Sequence, residues 1–177
     1  NPITNLLADA LMDVIPCDLS IINSGVISGG IRKGIVSNKK LLEISPSPLN
    51  PTYMEIKGKY IKEALRLSLK ADVCLQDGRG AGFRGKYLGR LHISNAIIEH
   101  NGKDILKVKL KDGVLEDEKI YRVATSDYLQ RGTGYTSLAN NKNEKYNPEY
   151  MRDVLREYLK KKEFVERCFK DRWVRVE

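Results

Sequence analysis

Apolar residues fall at helical spacing in some segments of the chain and in short continuous or alternating runs in others. Over residues 1–14 they lie on one helical face, with Asn1 as a candidate N-cap and Pro2 at the first helical position. Pro16 ends this segment, because a proline cannot continue a helix. Residues 18–23 then hold a short, continuous apolar run, which predicts a buried strand.

Two glycine-rich loops separate the elements that follow. Residues 24–34 form the first, called the glycine loop below. Residues 77–90 form the second, which carries four cationic side chains around Phe83 and is called the arginine loop. Asn101-Gly102 predicts a hairpin turn between two strands. The pattern predicts helices at 39–44 and 58–69, and strands at 53–57, 91–98, 105–110 and 121–125.

The last part of the chain returns to a helical pattern. Asn147-Pro148-Glu149 predicts the opening of a helix, and residues 173–176 predict a final strand. The apolar stripe of this helix consists of Met151, Val154, Leu155 and Tyr158. Because no repeat or linker-like break interrupts the chain, we predict a single compact α+β domain over residues 1–177.

Composition places the chain among globular proteins. Of its 177 residues, 41% are hydrophobic, which is enough to build a core, and the formal net charge of +8 favours anionic partners. No apolar run approaches the roughly 20 residues that cross a bilayer. Asp9 and Asp13 interrupt the first apolar segment, so we expect neither a signal peptide nor a membrane role.

The chain shows no catalytic motif of its own. Its two histidines, His92 and His100, lack acidic partners at metal-ligand spacing, and no nucleophile elbow, P-loop or zinc-protease motif occurs. Cys74 is a possible nucleophile, but a buried structural thiol is the stronger interpretation. The three cysteines are scattered, which argues against a disulfide framework and favours a reducing compartment. We therefore predict no catalytic residue and no metal site in this chain.

Five segments, in order, resemble the C-terminal domain of the 5'-nucleotidase family. Residues 5–11 resemble its "GNLITDAM" helix, and residues 18–27 resemble its strand and "NGGGIR" loop. Residues 34–46 follow the pattern "GxITxxDLLEVLP", and residues 53–69 follow "VELTGxxLKEALExSL". Residues 121–129, Tyr-Arg-Val-Ala-Thr-Ser-Asp-Tyr-Leu, are similar to "YRVATNDFLA". The resemblance covers nearly the whole chain and is strongest for a cytoplasmic, bacterial branch.

This resemblance implies a mixed sheet flanked by helices and a division of labour between two domains. The family's N-terminal metallophosphoesterase domain holds two divalent metals and performs hydrolysis, and we expect that domain to be absent from this chain but joined to it in the whole protein. The C-terminal domain binds a nucleotide, or another phosphorylated small molecule, and positions its phosphate. We therefore expect a cytoplasmic hydrolase, although the wider family includes extracytoplasmic members, and a fragment that is inactive alone.

Several residues are candidates for substrate binding. Asn23 matches the family's substrate-contacting asparagine, and Gly25 allows a ligand to approach the backbone. Asp127 and Tyr128 come from the "YRVATNDFLA" segment, in which Tyr128 matches one of the two rings that sandwich the base. Each of these residues has a structural alternative, namely an Asx turn, a tight turn or a packed core tyrosine.

The chain also departs from the family pattern. Ser28 stands where the family has an arginine, and Arg32 is a candidate replacement. Ser47 stands where the family has its other stacking ring, which Tyr53 or Phe83 would have to supply. The acidic residue of "GGDGY" is also lost. These changes put the usual nucleoside specificity in doubt.

Two other functions stay open at this stage. Phe83 and Arg84 belong to the arginine loop, whose guanidinium groups suit phosphate oxygens, so a nucleic-acid-binding module is one alternative. No nucleic-acid-binding motif supports it, and we expect no nucleic-acid partner. A degenerate, non-catalytic domain that closes over a partner enzyme is the other alternative.

Overall fold

The computed structural model describes residues 1–80 and 82–176. Ala81, within the arginine loop, and Glu177 lie outside the described residues. The helices are α1 (Pro2–Val14), α2 (Asn38–Ile44), α3 (Gly58–Leu67), α4 (Ala71–Cys74), α5 (Asp127–Gln130), α6 (Met151–Tyr158) and α7 (Lys162–Arg167). The strands are β1 (Leu19–Asn23), β2 (Pro51–Lys57), β3 (Leu91–Ser94), β4 (Ala96–His100), β5 (Ile105–Leu110), β6 (Gly113–Val114), β7 (Ile120–Ser126), β8 (Asn141–Tyr146) and β9 (Trp173–Arg175).

The larger sheet is mixed and has the strand order β3-β1-β7-β2-β8. β1 runs parallel to β7, with Ser20 opposite Ala124, and the other neighbouring pairs are antiparallel. Helix α1 packs against β1 and β3 through Leu7 and Leu11, both fully buried. The predicted cap is confirmed, since the Asn1 side chain accepts a hydrogen bond from the Ile3 amide at 3.1 Å.

A smaller sheet, with the order β6-β5-β4-β9, lies beside the first and was not predicted. The prediction of one strand over residues 91–98 is wrong, because Asn95 adopts a positive φ of 60° and divides it into β3 and β4. The Asn95 amide donates to the Asp18 carbonyl at 2.8 Å, which holds this break in place. The predicted hairpin is confirmed, because β4 and β5 pair antiparallel across a four-residue connection in which Asn101 accepts from the amides of Lys103 and Asp104.

The segment after residue 140 packs back onto α1. Helix α6 begins at Met151 rather than at residues 147–149, and Asn50 donates instead to the carbonyls of Pro148 and Glu149. Asp9 of α1 is buried and accepts hydrogen bonds from Arg167 at 3.0 Å and Arg172 at 2.7 Å. Neither β8 nor α7 was predicted. The predicted final strand is confirmed as β9.

Candidate functional site

The parallel strands β1 and β7 bring two of the sequence-predicted segments to one edge of the larger sheet. Because parallel strands point the same way, their carboxyl ends lie together. β1 leads into the glycine loop, whereas β7 leads into the short helix α5, which carries Asp127 and Tyr128. Such an edge is where ligands bind in many proteins that contain parallel strands.

Asn23 lies at the end of β1, fully buried beneath the arginine loop. Its side-chain amide donates to the Leu88 carbonyl at 2.6 Å, and the next amide, of Ser24, donates to the Arg90 carbonyl at 2.8 Å. The Asn23 Oδ1 atom is buried and has no hydrogen-bond partner within the described part of the chain. In this structure, Asn23 therefore joins the two loops.

Gly25 marks the closest approach between these loops. A Cβ atom at this position would lie 2.0 Å from the Tyr87 carbonyl oxygen and 2.4 Å from that of Leu88. A Cβ at Gly85 would in turn lie 2.1 Å from the Gly25 carbonyl oxygen. The loops pack backbone to backbone, which only glycine permits at these positions.

The aromatic rings of Phe83 and Tyr128 stack on each other. Their centroids are 4.5 Å apart, the rings are inclined by 22°, and both residues are buried. The Tyr128 hydroxyl donates to the Arg79 carbonyl at 3.1 Å. This spacing is that of a single aromatic contact, so a base can enter between the rings only if they separate.

Ser47, which replaces a stacking ring of the family pattern, is buried and fixes the arginine loop. Its hydroxyl accepts a hydrogen bond from the Arg84 amide at 2.8 Å. This contact holds the residue next to Phe83 and so helps to keep that ring against Tyr128. The Arg84 side chain is exposed and donates to the Phe83 carbonyl at 3.1 Å.

Asp127 and Arg32 have different surroundings from the stacked rings. Asp127 is buried, accepts from the Asn50 amide at 3.2 Å and has Arg131 at 3.7 Å, so it anchors the start of β2. Arg32 is exposed on the glycine loop. The structure brings Asn23, Gly25, Phe83 and Tyr128 together through the two loops, whereas Asp127 and Arg32 lie outside that contact.

A groove of about 760 Å³ opens where the glycine loop and the arginine loop meet the C-terminal segment. Of the site residues predicted from the sequence, all of which the structure describes, only Gly25 lines this groove. Its lining also includes Ser24, Ser28, Lys86, Arg90, His92 and Trp173. Its size suits a small organic ligand.

Arg90 and Trp173 contact each other in the groove, a pairing that the sequence did not predict. The Arg90 guanidinium carbon lies 4.0 Å from the centroid of the Trp173 ring. The two residues are 83 positions apart in the sequence, and they are brought together by the pairing of β9 with β4 and by the hydrogen bond from the Trp173 indole to the Leu91 carbonyl. No local pattern in the sequence could have indicated this contact.

His92 and Cys74, which line the groove, are both neutral near pH 7. Burial lowers the pKa of His92 to about 3, and its Nδ1 atom lies 2.7 Å from the Asn5 side-chain oxygen. Burial also raises the pKa of the Cys74 thiol, which stays protonated. His92 and Cys74 thus contribute neither charge nor a ready nucleophile.

A second cavity, of about 610 Å³, lies between α1, α7 and the smaller sheet. It contains the Asp9 carboxylate, which Arg167, Arg172 and the Ser94 hydroxyl already bind. Because these partners satisfy its buried charge, this cavity has the character of a structural ion cluster.

Across residues 1–80 and 82–176, no group of three His, Cys, Asp or Glu side chains is arranged to hold a metal ion. None of the helices described is both long and apolar enough to cross a membrane.

Comparison with known proteins finds similarity to the 5'-nucleotidase family and to a metallophosphoesterase. A family model described as "5'-nucleotidase, C-terminal domain" matches residues 1–140. The metallophosphoesterase YunD of Bacillus subtilis is 30% identical over 156 residues, which are 85% of this chain and 34% of YunD. The chain therefore spans about a third of that relative's length.

Two solved structures share the fold. A 5'-nucleotidase precursor from Thermus thermophilus superimposes with a TM-score of 0.73 at 20% identity, covering 98% of this chain and 35% of that one. A putative 5'-nucleotidase from Staphylococcus aureus, solved with alpha-ketoglutarate, superimposes with a TM-score of 0.75 at 14% identity. The match covers 100% of this chain and 37% of that one. The predicted fold class, a mixed sheet flanked by helices, is confirmed.

Proposed function

This chain belongs to the 5'-nucleotidase C-terminal domain family, and we propose that it is the substrate-binding domain of a metal-dependent phosphoesterase acting on nucleotides or related phosphate esters. The observation that carries the proposal is the groove at the end of β1, built by the glycine loop and the arginine loop. It joins exposed backbone, hydroxyl groups and cations in a space large enough for a mononucleotide.

We place hydrolysis outside this chain, in an N-terminal metallophosphoesterase domain of the same protein. Two divalent metals held there would activate water and stabilise the charge that develops on the phosphate. The residues described here supply no donor cluster for such ions, so this chain's part is to bind and orient the substrate.

The stacked rings suggest how a base is accommodated. Tyr128 is held at the end of β7, whereas Phe83 belongs to the arginine loop. Displacement of that loop would uncover one face of Tyr128 for a base. Arg32 and Arg84 are exposed and free to approach a phosphate at the surface of the site.

The second candidate function is a non-catalytic domain that closes over a partner enzyme, and the covered face of Tyr128 favours it. Phe83 fills the face of Tyr128, and Ser47 holds the loop that carries it. If this arrangement is permanent, the chain would cover a partner domain without recognising a base. The nucleic-acid alternative has less support, because Phe83 is buried and Tyr87, at 40% exposure, is the one exposed aromatic ring that the described residues of the arginine loop offer for stacking.

The test is a titration of the purified chain with nucleosides, mononucleotides and a short oligonucleotide, followed by NMR. We expect saturable mononucleotide binding that Tyr128→Leu abolishes, since leucine fills the core without offering a π face. Phe83→Leu is the matched variant and should preserve or strengthen binding. Binding that neither variant changes would reject the stacking role. Binding of the oligonucleotide alone, only at low salt, would support the nucleic-acid alternative.

The proposed location of catalysis is tested by activity. The purified chain with Mn²⁺ should show no phosphatase turnover above the blank, whereas a protein that includes the N-terminal domain should be active. Turnover that survives purification of this chain, and that a point change within it removes, would contradict the assignment.

A further inference from the structure

Arg90 has an unusual environment for an arginine in this protein. Its guanidinium lies over Trp173, half-buried at the edge of the groove. Within residues 1–80 and 82–176 it makes no ion pair, and its Nε atom is buried without a hydrogen-bond partner. A guanidinium has five N–H donors, and leaving them unsatisfied in a partly desolvated position costs free energy.

Six other arginines of the described residues form ion pairs with carboxylates, and among the arginines that do not, Arg90 is the one with a buried, unpartnered Nε atom. Arg122 forms an ion pair with Asp18, at 2.6 Å, and Arg172 pairs with buried Asp9 at 2.7 Å. Arg172 also lines the groove, but its guanidinium is held by Asp9 and by the Ile93 carbonyl. Arg90 therefore lines a ligand-sized space without an ion-pair partner among the described residues.

The surroundings of Arg90 favour an anion. Lys86 lines the same groove with its ammonium 5.0 Å from the Tyr87 ring centroid. Ser24 and Ser28 add hydroxyl groups to the lining, and Asp171 is its acidic side chain. Asp171 is exposed, so solvent weakens its effect on an anion beside Arg90.

We propose that Arg90, held flat by Trp173, binds a phosphoryl group of the substrate in this groove, with Lys86 and the hydroxyls of the glycine loop as secondary contacts. A planar guanidinium pairs bidentately with phosphate oxygens, and the indole ring fixes its plane before the ligand arrives. This inference rests on the proposed function, since it assigns the phosphate end of the same substrate.

Trp173 gives the inference a direct readout, because it is the single tryptophan of the sequence. Inorganic phosphate and adenosine monophosphate are each titrated into the chain at constant ionic strength, maintained with sodium chloride, while tryptophan fluorescence is recorded. We expect a saturable change in emission with both ligands. Arg90→Met keeps an apolar stem on the ring but removes the charge, and should weaken phosphate binding at least about tenfold.

Arg79→Met is the matched control. It removes the same charge from the same loop, but Arg79 is exposed and lies 3.5 Å from Asp77. The affinity of this variant for phosphate should therefore differ little from that of the wild-type chain. Arg90→Lys keeps the charge and loses the planar fork, and should weaken binding to an intermediate degree. Thermal unfolding of each variant verifies that it is folded; if Arg90→Met does not fold, Arg90→Lys serves as the test.

The outcomes separate this inference from the proposed function. Equal weakening by Arg90→Met and Arg79→Met, or no fluorescence response to either ligand, would overturn the Arg90 site. Nucleotide binding detected by NMR but unaffected by either Arg90 variant would overturn it while leaving the proposed function in place. Arg90-dependent phosphate binding with no gain from the nucleoside would support the site and contradict nucleotide recognition.

Discussion

At the scale of single residues, the contact between the two loops depends on Gly25. Gly25→Ala would place a methyl group 2.0 Å from the Tyr87 carbonyl oxygen, so backbone must move. We expect a loss of about 1–3 kcal/mol in the free energy of unfolding, typical of overpacking. Gly30→Ala is the control in the same loop, because a Cβ there would meet nothing within 4 Å; its effect should stay within about 0.5 kcal/mol. Urea denaturation of both variants measures the difference, and equal stabilities would contradict the described packing.

Residue-level features of the site were predictable only where neighbours in sequence decide them. Asn23 and Gly25 follow from a strand that runs into a glycine loop. The partner of the Asn23 amide, the Leu88 carbonyl, lies 65 residues away and was not predictable. The same is true of Arg90 on Trp173. Sequence patterns identify which residues can bind a ligand, whereas tertiary packing decides which of them remain available.

At the scale of elements, the arginine loop is the part that shapes the site. It reaches the larger sheet through Asn23, the glycine loop through Gly25 and the connection between α2 and β2 through Ser47. Within the loop, Asp77 and Tyr87 form an antiparallel bridge, and Gly78 donates to the Lys86 carbonyl. Phe83 therefore lies in a loop whose two ends are hydrogen-bonded to each other.

The C-terminal helices and strand are anchored through a buried ion cluster. Asp9 on α1 binds Arg172, whose side chain is 9% exposed, and Arg167, which is half-exposed. Asp9→Asn would leave a buried guanidinium without its counter-charge, and we expect a loss of about 3 kcal/mol in the free energy of unfolding.

Asp13→Asn is the matched control for this anchor. Asp13 lies one helical turn further along α1 and contacts Tyr158 and Lys161, but it is exposed. Its replacement should cost less than about 1 kcal/mol. Denaturant titrations of the two variants would contradict the anchoring role if the losses were equal.

The elements that sequence patterns missed have physical explanations. β8, with the sequence Asn-Lys-Asn-Glu-Lys-Tyr, lies at the edge of the sheet and is exposed along most of its length, so it carries no alternating apolar signal. The charged side chains of such an edge also prevent pairing with other chains. Asn95 interrupts an apolar run by adopting a left-handed conformation, which asparagine tolerates and which composition does not reveal.

At the scale of the whole molecule, the C-terminal segment is part of the candidate site as well as of the fold. The family model matches residues 1–140, yet Trp173 and Arg172 line the groove, and residues 141–176 pack against α1 and β2. The C-terminal segment therefore supplies one wall of the groove, including the Trp173 ring that lies against Arg90. Substrate affinity and the stability of the C-terminal segment should be linked, because a ligand that binds the groove stabilises the docked state.

This dependence predicts that the chain unfolds as a single cooperative unit. Trp173 reports on the C-terminal segment, whereas far-ultraviolet circular dichroism reports on all helices and strands. The two urea transitions should coincide, as two-state unfolding requires. In Asp9→Asn, the weakened anchor should allow the fluorescence transition to occur at lower urea than the circular dichroism transition. Separate transitions in the wild-type chain would mean that the segment docks independently, and the groove would then be present only in the docked fraction of molecules.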